Sequence, residues 1–291
     1  MRRSFRIGFV FALIAVVLIA LVLMINRPED TLERARQSGS IRVGYAPEAP
    51  FAFRTRAGSV TGESPEVARE VLRRMGITNI EWVQTEWGSL IPDLKAGRFD
   101  IIATGMFITC DRARQIAFTQ PTFRVDEALL VAKGNPKHLH SYADIKAHPD
   151  ARLAVVNGAV EARIAEEQGI PPGRILPVPD AQTGLIAVRS GRVDALGLTS
   201  ISVAALASRD PAHVEHATPF EMPLLNGHAA EGYGALGVRQ EDRALLEELN
   251  QQLEHFIGSD AHLRLLARFG FTHDELPTQD ATPLHNCQPG Q

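Results

Sequence analysis

The segment Thr109-Cys110-Asp111-Arg112 holds the side chains best suited to bind a charged ligand. Thr109 is typical of a helix N-cap, and Asp111 of a first helical turn, where a negative charge meets the positive end of the helix. Arg112 falls in that same turn, where a cation is unfavourable, and a residue that opposes a local rule favours a functional explanation. An arginine at a domain edge, beside backbone N–H groups, binds a carboxylate through two parallel hydrogen bonds. The alternative is a surface arginine that pairs with Asp111 or Glu127.

Three aromatic residues, Phe51, Trp87 and Phe107, fall at predicted loops or strand ends in a chain that is only 6% aromatic. An aromatic face holds a delocalised cation with about 0.5–2 kcal/mol per ring once water is excluded. Glu48, three residues before Phe51, would supply a counter-charge. The sequence therefore favours a carboxylate-binding end at Arg112 and a cation-binding end at these rings. Core packing of the rings and a solvated loop glutamate are the alternatives.

Motifs for catalysis and metal binding are absent from the sequence. It contains no Gly-x-Ser-x-Gly, no phosphate-binding glycine loop and no evident nucleophile–base pair, and its ten histidines form no metal-ligand spacing. We therefore expect no metal, no cofactor and no enzyme activity. The formal net charge of −4, the pI near 6.2 and the lack of a Lys/Arg run beyond the N-terminus argue against nucleic acid as a partner.

A phrase that occurs twice marks the elements that must position these side chains. Its copies, 94 residues apart, are Gly97-Arg98-Phe99-Asp100 and Gly191-Arg192-Val193-Asp194. Each follows a helical stretch and leads into an apolar segment, which predicts a helix ended by glycine, a tight reversal and a buried parallel strand. Two such units predict two similar α/β lobes with a ligand between them at the strand ends. The alternative is that Gly-Arg-x-Asp is only a common helix–strand loop.

The rest of the chain fits this two-lobed organisation. Apolar periodicity and Gly or Pro boundaries predict strands at 41–45, 80–83, 127–132, 153–156, 175–178 and 233–238, and helices at 30–38, 65–75, 160–168, 241–257 and 261–269. We assign 38–125 to the first part of lobe 1, 126–232 to lobe 2, 233–276 to the second part of lobe 1 and 277–291 to a C-terminal tail. Two crossings between the lobes would make a hinge.

The N-terminus, residues 1–28, differs in composition from the remainder. Arg2, Arg3 and Arg6 precede an uncharged stretch of nineteen residues, 7–25, which as a helix is about 28 Å long and close to the thickness of a bilayer core. Because it lacks an Ala-x-Ala cleavage site and a cysteine for lipidation, we favour an uncleaved membrane anchor over a cleaved signal. In either case the positive-inside rule places the globular part in the periplasm or otherwise outside the cytoplasmic membrane.

The chain has two cysteines, Cys110 and Cys287. In an oxidising compartment an even count permits one disulfide, which would tie the C-terminal tail to the first lobe. Two unpaired thiols are the alternative, because the sequence does not show how far apart these residues lie.

The chain resembles the periplasmic solute-binding proteins of polar amino-acid ABC transporters over about residues 40–276. The matching segments are Ile41-Arg42-Val43-Gly44, Gly97-Arg98-Phe99-Asp100, Gly105-Met106-Phe107-Ile108-Thr109 with Arg112, Ala117-Phe118-Thr119 and Gly191-Arg192-Val193-Asp194-Ala195. It is similar above all to the ectoine- and hydroxyectoine-binding subgroup, through Gly44-Tyr45-Ala46-Pro47-Glu48-Ala49-Pro50-Phe51, Thr85-Glu86-Trp87-Gly88-Ser89-Leu90-Ile91-Pro92 and Leu139-His140-Ser141-Tyr142. The resemblance implies the α/β, two-lobed periplasmic-binding-protein fold of type II and an ABC permease as partner.

The resemblance also implies roles for residues of the first lobe. The residue at Arg112 grips the ligand's α-carboxylate, and rings at positions such as Phe51 and Trp87 stack on the ligand. Gly105 and Phe107 lie in the matched segment that leads to Arg112, and they complete the expected first-lobe site.

For the second lobe, the resemblance implies ligand-binding N–H groups at the helix start after Gly158, here Val160 and Glu161. Glu161 either faces the cleft near the ligand's cation or only favours the helix N-terminus. Thr199 stands where a member that binds an α-amino group has Asp, and without that carboxylate a primary ammonium loses a charged partner in a desolvated cleft. Ectoine joins a carboxylate to a cyclic, delocalised amidinium, which suits this set of residues better.

We therefore expect an extracytoplasmic binding component of an ABC importer for a small zwitterion, with ectoine or hydroxyectoine first. Three alternatives use the same fold: a polar amino-acid-binding protein, a sensory domain held by its anchor, and a dehydratase-like enzyme.

Overall fold

The computed structural model describes residues 30–225 and 228–278. Its strands are β1 (Ser40–Tyr45), β2 (Phe53–Arg54), β3 (Val60–Thr61), β4 (Asn79–Gln84), β5 (Ile101–Ile102), β6 (Ala117–Phe118), β7 (Phe123–Val125), β8 (Glu127–Ala132), β9 (Leu153–Val156), β10 (Ile175–Val178), β11 (Ala195–Thr199), β12 (Val214–His216), β13 (Leu224–Leu225), β14 (His228–Ala229), β15 (Gly232–Gly234) and β16 (Gly237–Val238). Its α-helices are α1 (Thr31–Ser38), α2 (Glu63–Arg74), α3 (Leu90–Lys95), α4 (Cys110–Ala113), α5 (Tyr142–Ala147), α6 (Val160–Glu167), α7 (Ala181–Arg189), α8 (Ser200–Arg209), α9 (Arg243–Glu254) and α10 (Asp260–Ala267). Short 3₁₀ helices lie at Trp87–Ser89, Pro172–Arg174 and His273–Glu275.

The first five-stranded sheet has the order β4-β1-β5-β16-β6. Strand β1 runs parallel to β4 and β5, whereas β16 runs antiparallel to β5 and β6. The chain therefore leaves this sheet after β6 and returns to it at β16. Helices α2 and α9 cover one face, where Val43, Leu72 and Leu249 are fully buried in one apolar cluster.

The second five-stranded sheet has the order β10-β9-β11-β8-β12. Strand β9 is parallel to β10 and β11, and β8 is antiparallel to β11 and β12. Both faces of this sheet are covered by helices. Successive side chains of a strand point to opposite sides, so neighbouring residues pack in different clusters. Leu130 packs in a cluster with Val203 of α8, and its neighbour Leu129 packs in another cluster with Ile164 of α6.

The two chain segments that run between the sheets pair with each other. Strand β7, on the outward path, is antiparallel to β15, on the return path. Thr122 strengthens the contact, since its N–H donates to the carbonyl of Gly234 at 2.8 Å. This ribbon gives the two crossings of a two-lobed α/β fold, and we propose it as the hinge between the assigned lobes.

Both Gly-Arg-x-Asp phrases form the unit that the sequence predicts. Gly97 and Gly191 each have φ of +69°, the left-handed conformation that ends a helix and that glycine adopts without strain. The strand that follows each phrase pairs in parallel with a neighbour, β5 with β1 and β11 with β9.

The two copies nevertheless differ in the surroundings of their aspartate. The Asp100 side chain is 1% exposed and contacts Arg34, Arg42 and Arg239. Burial alone would raise the pKa of Asp100, but the hydrogen bonds from Arg42 and Arg239 and the charge of Arg34 outweigh it and lower the pKa. Asp194 is 25% exposed and forms an ion pair with Lys137.

The prediction of one continuous returning strand at 233–238 is wrong, because the structure has two short strands there, β15 and β16. The N–H of Ala235 donates to the carbonyl of Met106 at 3.2 Å. The next N–H, that of Leu236, donates to the hydroxyl of Thr119 at 3.2 Å. Because of these two bonds, the backbone between β15 and β16 continues neither the pairing of β15 with β7 nor that of β16 with β5 and β6.

The predicted anchor at residues 7–25 lies outside the described residues. Among the helices within 30–225 and 228–278, none is long and apolar enough to cross a membrane.

Candidate ligand-binding site

Arg112 lies in the one-turn helix α4, whose N-cap is Thr109 as the sequence predicts. The Thr109 hydroxyl accepts the backbone N–H of Arg112 at 3.3 Å. The guanidinium is buried and donates from Nη1 to the carbonyl of Phe107 at 2.9 Å and from Nη2 to the carbonyl of Gly158 at 3.1 Å. Since a guanidinium has five N–H donors, three remain for a ligand. Gly158 follows β9, so Arg112 joins the two sheets across the cleft.

The predicted surface alternative for Arg112 is not what the structure shows. Asp111 instead forms ion pairs with Arg114 and with Arg163 of α6, and no ion pair joins Arg112 to Glu127. Burial lowers the pKa of Arg112 to about 10, against the opposing charge of Glu161. The guanidinium therefore stays charged at neutral pH inside a desolvated site.

A narrow cavity of about 260 Å³, partly open to solvent, lies beside Arg112 between the two sheets. Its lining residues are Glu48, Trp87, Gly105, Phe107, Arg112, Ala159, Val160, Glu161 and Thr199. Every site residue expected from the sequence is therefore in the lining except Phe51, and Ala159 is added.

The lining residues follow the ends of strands in both sheets. Glu48 follows β1, Trp87 follows β4 and Gly105 follows β5, whereas Val160 follows β9 and Thr199 ends β11. Because parallel strands present their carboxyl ends at the same edge of a sheet, residues far apart in the chain meet there.

Phe51 lies behind the cavity wall, contrary to its expected stacking role. It is 1% exposed, with ring centroids 4.9 Å from Phe123 and 5.5 Å from Phe271. Gly105 explains this placement, because a Cβ at that position would lie 2.6 Å from the ring of Phe51. The missing side chain lets the ring pack against the backbone, so that Phe51 supports the wall from within an aromatic cluster.

The other two residues of the expected cage both line the cavity. Trp87 is half-buried, and its ring centroid lies 6.0 Å from Cζ of Arg112. Its indole Nε1 is buried with no hydrogen-bond partner among the described residues. Phe107 is buried and offers its carbonyl to Arg112, while its ring packs against the backbone of Gly232 in the same aromatic cluster as Phe51. Trp87 therefore brings both an apolar face and a free N–H donor to the cavity.

Glu48 stands at the cation-binding end predicted from the sequence. A pair of backbone hydrogen bonds with Ala52, at 2.7 and 2.9 Å, fixes its loop. One carboxyl oxygen accepts the hydroxyl of Ser202 in α8 at 2.8 Å. Burial raises the pKa of Glu48 to about 7, and the Ser202 hydrogen bond opposes that rise. Glu48 therefore reaches from the first sheet to a helix of the second lobe.

On the second-lobe side, α6 begins at Val160 and has no side-chain capping bond at Ala159. The N–H of Val160 has no such cap and is placed where an anion would be favoured, whereas the N–H of Glu161 bonds to the carboxyl group of Glu161 itself. Thr199 caps α8, since its hydroxyl accepts the N–H of Ser202 at 3.2 Å. Position 199 therefore offers a hydroxyl that already caps α8, and no carboxylate.

Two buried groups that the sequence analysis did not assign to the site interact with its charges, although neither lines the cavity. Glu127, the first residue of β8, lies opposite Thr199 in the ladder and is 2% exposed. Burial, together with the charges of Glu161 and Glu48, raises its pKa well above the usual range. Tyr142 begins α5, and burial with the charges of Glu127 and Glu161 raises its pKa too. In the sequence, the feature that could have indicated Glu127 is a single acidic residue at the start of an apolar strand.

A wider open groove borders the cavity. It holds about 1060 Å³ and is lined by Ala46, Pro47, Glu48, Gln84, Thr85, Glu86, Trp87, Ser89, Val156, Pro179, Asp180 and Ala181. Glu48 and Trp87 line both spaces, so these two side chains stand between the groove and the inner cavity.

Two further expectations concern metals and cysteines. Within the described ranges, no group of three or more His, Cys, Asp or Glu side chains could hold a metal ion. Cys110 is disulfide-bonded, whereas Cys287, its expected partner, lies outside the described residues, so the pairing stays a prediction.

Two α/β lobes joined by two crossings, with a charged cavity at the strand ends of both, define the class of two-lobed solute-binding proteins. The chain belongs to the bacterial extracellular solute-binding proteins, family 3, whose family model matches residues 41–272.

Individual proteins agree with this assignment. A probable amino-acid ABC transporter periplasmic-binding protein of Sinorhizobium fredii is 34% identical over 260 residues, covering 88% of this chain and 86% of the relative. The crystal structure of EhuB in complex with hydroxyectoine has a TM-score of 0.78 and 34% identity over 84% of this chain and 94% of the other. The ancestral amino acid-binding protein AncCDT-1, a precursor of cyclohexadienyl dehydratase, has a TM-score of 0.73 and 27% identity over 82% and 99%.

Proposed function

We propose that this chain is the extracytoplasmic substrate-binding component of an ABC importer for a small zwitterion, with ectoine or hydroxyectoine as the first candidates. The observation that carries the proposal is the pairing, in one small cavity, of a buried arginine that has free donors with a buried carboxyl group and aromatic faces. A molecule with a carboxylate at one end and a delocalised cation at the other fits such a site. The similarity to the EhuB–hydroxyectoine complex supports this ligand class.

The carboxylate of the ligand would lie between Arg112 and the start of α6. The free guanidinium N–H groups give two parallel, charge-assisted hydrogen bonds. The N–H group of Val160 adds a donor from the other lobe. Because the two sets belong to different lobes, a bound carboxylate would hold the cleft closed.

The cation of the ligand would lie against Trp87 and Phe107, with Glu48 as its counter-charge. An amidinium spreads its charge over a plane, so an aromatic face attracts it without requiring a point-like partner. Thr199 offers no second carboxylate at the place where an α-ammonium would need one.

A polar amino acid is the second candidate ligand. The Sinorhizobium fredii relative is named as a probable amino-acid ABC transporter periplasmic-binding protein. Glu161 would pair with an α-ammonium in place of the residue at 199.

The proposal also covers the partner, the anchor and the domain bounds. An ABC permease receives the ligand, and residues 7–25 tether the chain to the cytoplasmic membrane. The chain crosses from lobe 1 to lobe 2 between residues 125 and 126, and back between residues 232 and 233. N-terminal sequencing of the exported protein tests the tether, since a new N-terminus after residue 25 would contradict it.

Isothermal titration of the purified chain against ectoine, hydroxyectoine and the twenty amino acids tests the ligand. We expect heat from ectoine or hydroxyectoine and none from the amino acids. Heat from an amino acid alone would refute the ectoine proposal and favour the second candidate.

The variant Arg112→Ala tests the carboxylate grip. Loss of a bidentate, buried charge pair weakens binding by about 2–5 kcal/mol, which removes measurable heat. Arg114→Ala is the matched control, because Arg114 ends the same helix but is 51% exposed and pairs with Asp111. Equal affinity in the Arg112→Ala and Arg114→Ala variants would refute the role of Arg112.

A further inference from the structure

Two buried carboxyl groups on the second-lobe side form no ion pair within the described part of the chain: Glu161, which lines the cavity, and Glu127, which does not. Glu161 is 3% exposed and Glu127 is 2% exposed. The Oε2 atom of each has no hydrogen-bond partner among residues 30–225 and 228–278. Buried polar atoms are almost always paired with protein, water or ligand, so this wall is built to receive a donor from outside the chain.

The fold holds Glu161 beside Tyr142, and the charge of Glu161 acts on Glu127. Gly197 of β11 lacks the side chain that would fill this space: a Cβ there would lie 3.4 Å from Cβ of Glu161 and 2.6 Å from the hydroxyl of Tyr142. Burial and the charge of Glu48 raise the pKa of Glu161 to about 8, although a hydrogen bond from its own backbone N–H and the charge of Arg112 oppose the rise.

The charged and titratable groups that act on this wall come from several elements. They are Glu48 after β1, Arg112 in α4, Asp126 and Glu127 at the start of β8, Tyr142 in α5 and Glu161 in α6. Arg112 is the single cation in this set. Because Glu48 and Glu161 belong to opposite sides of the cleft, closing the cleft brings two like charges together unless a cation or a proton lies between them.

We propose that Glu161, backed by Glu127, is a second cation-binding carboxylate across the cleft from Glu48, so that the cation of the ligand bridges the two lobes through N–H donors on two sides. This inference rests on the proposed function of the same site. An amidinium or guanidinium carries N–H groups on more than one nitrogen and satisfies both carboxylates at once. A fully alkylated ammonium has none and leaves both acceptors unpaired. The site therefore selects zwitterions by their N–H donors as well as by their charge.

Two pairs of probes test this selection on the purified full-length chain. Calorimetry compares ectoine with glycine betaine, a zwitterion whose nitrogen is fully alkylated. Thermal unfolding compares acetamidinium chloride with tetramethylammonium chloride at equal ionic strength. We expect glycine betaine to bind about a hundredfold more weakly than ectoine, and acetamidinium, but not tetramethylammonium, to raise the melting temperature.

Glu161→Gln keeps the shape of the side chain and removes its charge. We expect it to weaken ectoine binding about tenfold or more and to abolish the acetamidinium effect. Glu166→Gln is the matched control, since Glu166 is an exposed residue of the same helix, and it should leave both results unchanged. If Glu161→Gln does not fold, Glu127→Gln is the second variant, and it should weaken ectoine binding in the same direction.

The inference is overturned if Glu161→Gln binds ectoine like the wild type, or if the two small cations stabilise the wild type equally. If ectoine gives no heat while acetamidinium stabilises the wild type and not Glu161→Gln, the proposed solute is wrong and the cation bridge stands. If neither ectoine nor acetamidinium acts on the wild type, both proposals are refuted.

Discussion

The twin aspartates of the repeated phrase give a stability experiment with an internal control. Asp100→Asn removes a charge that contacts three arginines, at 2.8 Å from Arg34, 3.0 Å from Arg42 and 3.1 Å from Arg239. Asp194→Asn removes the same charge from the same place in the second repeat, where one ion pair with Lys137 is lost.

The size of the difference follows from burial. Breaking a buried ion pair by removing one partner costs about 3–5 kcal/mol. Arg34 and Arg42 keep 30% and 34% of their side chains exposed, so we place Asp100→Asn at the lower end, about 3 kcal/mol. For the exposed pair at Asp194 we expect about 1 kcal/mol.

Calorimetry measures these values as melting temperatures. At about 2–4 °C per kcal/mol for a chain of this size, Asp100→Asn should lower Tm by about 6–12 °C and Asp194→Asn by about 2–4 °C. Equal shifts in the two variants would refute the argument that the first repeat carries a buried charge clamp.

The pH dependence supplies an independent check on Asp100. Because its folded-state pKa lies below the ordinary value of 3.8, its contribution to stability is complete above that value. The contribution is lost as the pH falls through the lowered folded-state pKa. The gap in Tm between wild type and Asp100→Asn should therefore narrow in acid, and a gap that does not change with pH would contradict the charge-based explanation.

Three further predictions concern the site and the tail. Gly105→Ala should weaken ligand binding, because φ is +79° and the added Cβ would meet the ring of Phe51. The control Gly97→Ala, at φ +69° with open space around it, should lower the free energy of unfolding by about 1–2 kcal/mol and leave the affinity unchanged. Equal affinities in the two variants would contradict the role of the Gly105–Phe51 contact in the cavity wall. Ligand affinity measured by calorimetry should fall as the pH drops below about 8 and further below about 7, since Glu161, whose pKa is about 8, and Glu48, whose pKa is about 7, then take up protons and lose the charges that face the cation. A flat profile would count against both residues as counter-charges. Cys287→Ser should expose one free thiol and lower the free energy of unfolding by about 3–5 kcal/mol, because closing a loop of more than a hundred residues has a large entropic effect; thiol titration with mass spectrometry checks the pairing.

Local rules explain why much of the fold could be predicted. A glycine that ends a helix, followed by an apolar strand, is decided by the backbone of a few consecutive residues. Both repeats therefore fold as predicted, at Gly97 and Gly191. The position of Arg112 in a first helical turn was likewise visible as a conflict between its charge and the helix dipole. The split between β15 and β16 was not visible, because it depends on Thr119 and Met106, more than a hundred residues earlier in the chain.

The site shows where local rules end. Phe51 and Phe107 are similar residues near strand ends, yet one lies behind the wall and the other in it. Each ring packs against the bare backbone of a distant glycine, Phe51 against Gly105 and Phe107 against Gly232, and neither contact is evident from the neighbouring residues in the chain. Glu127 was considered only as a surface partner of Arg112, since nothing in its neighbourhood along the chain shows that Glu48 and Glu161 lie close to it.

The sequence by itself determined the two α/β units, the Arg112 turn, the absence of an acid at 199 and the family resemblance, because these depend on residue identity and on short-range backbone geometry. The tertiary structure alone decided which aromatic rings face the ligand, which carboxyl groups meet across the cleft and how far each is buried. Burial and charge repulsion depend on distances between segments that the strand order brings together, and those distances are not encoded in any one stretch of the chain. The mutual influence of Glu48, Glu127 and Glu161, with Arg112 acting on Glu161, is therefore a property of the folded cleft.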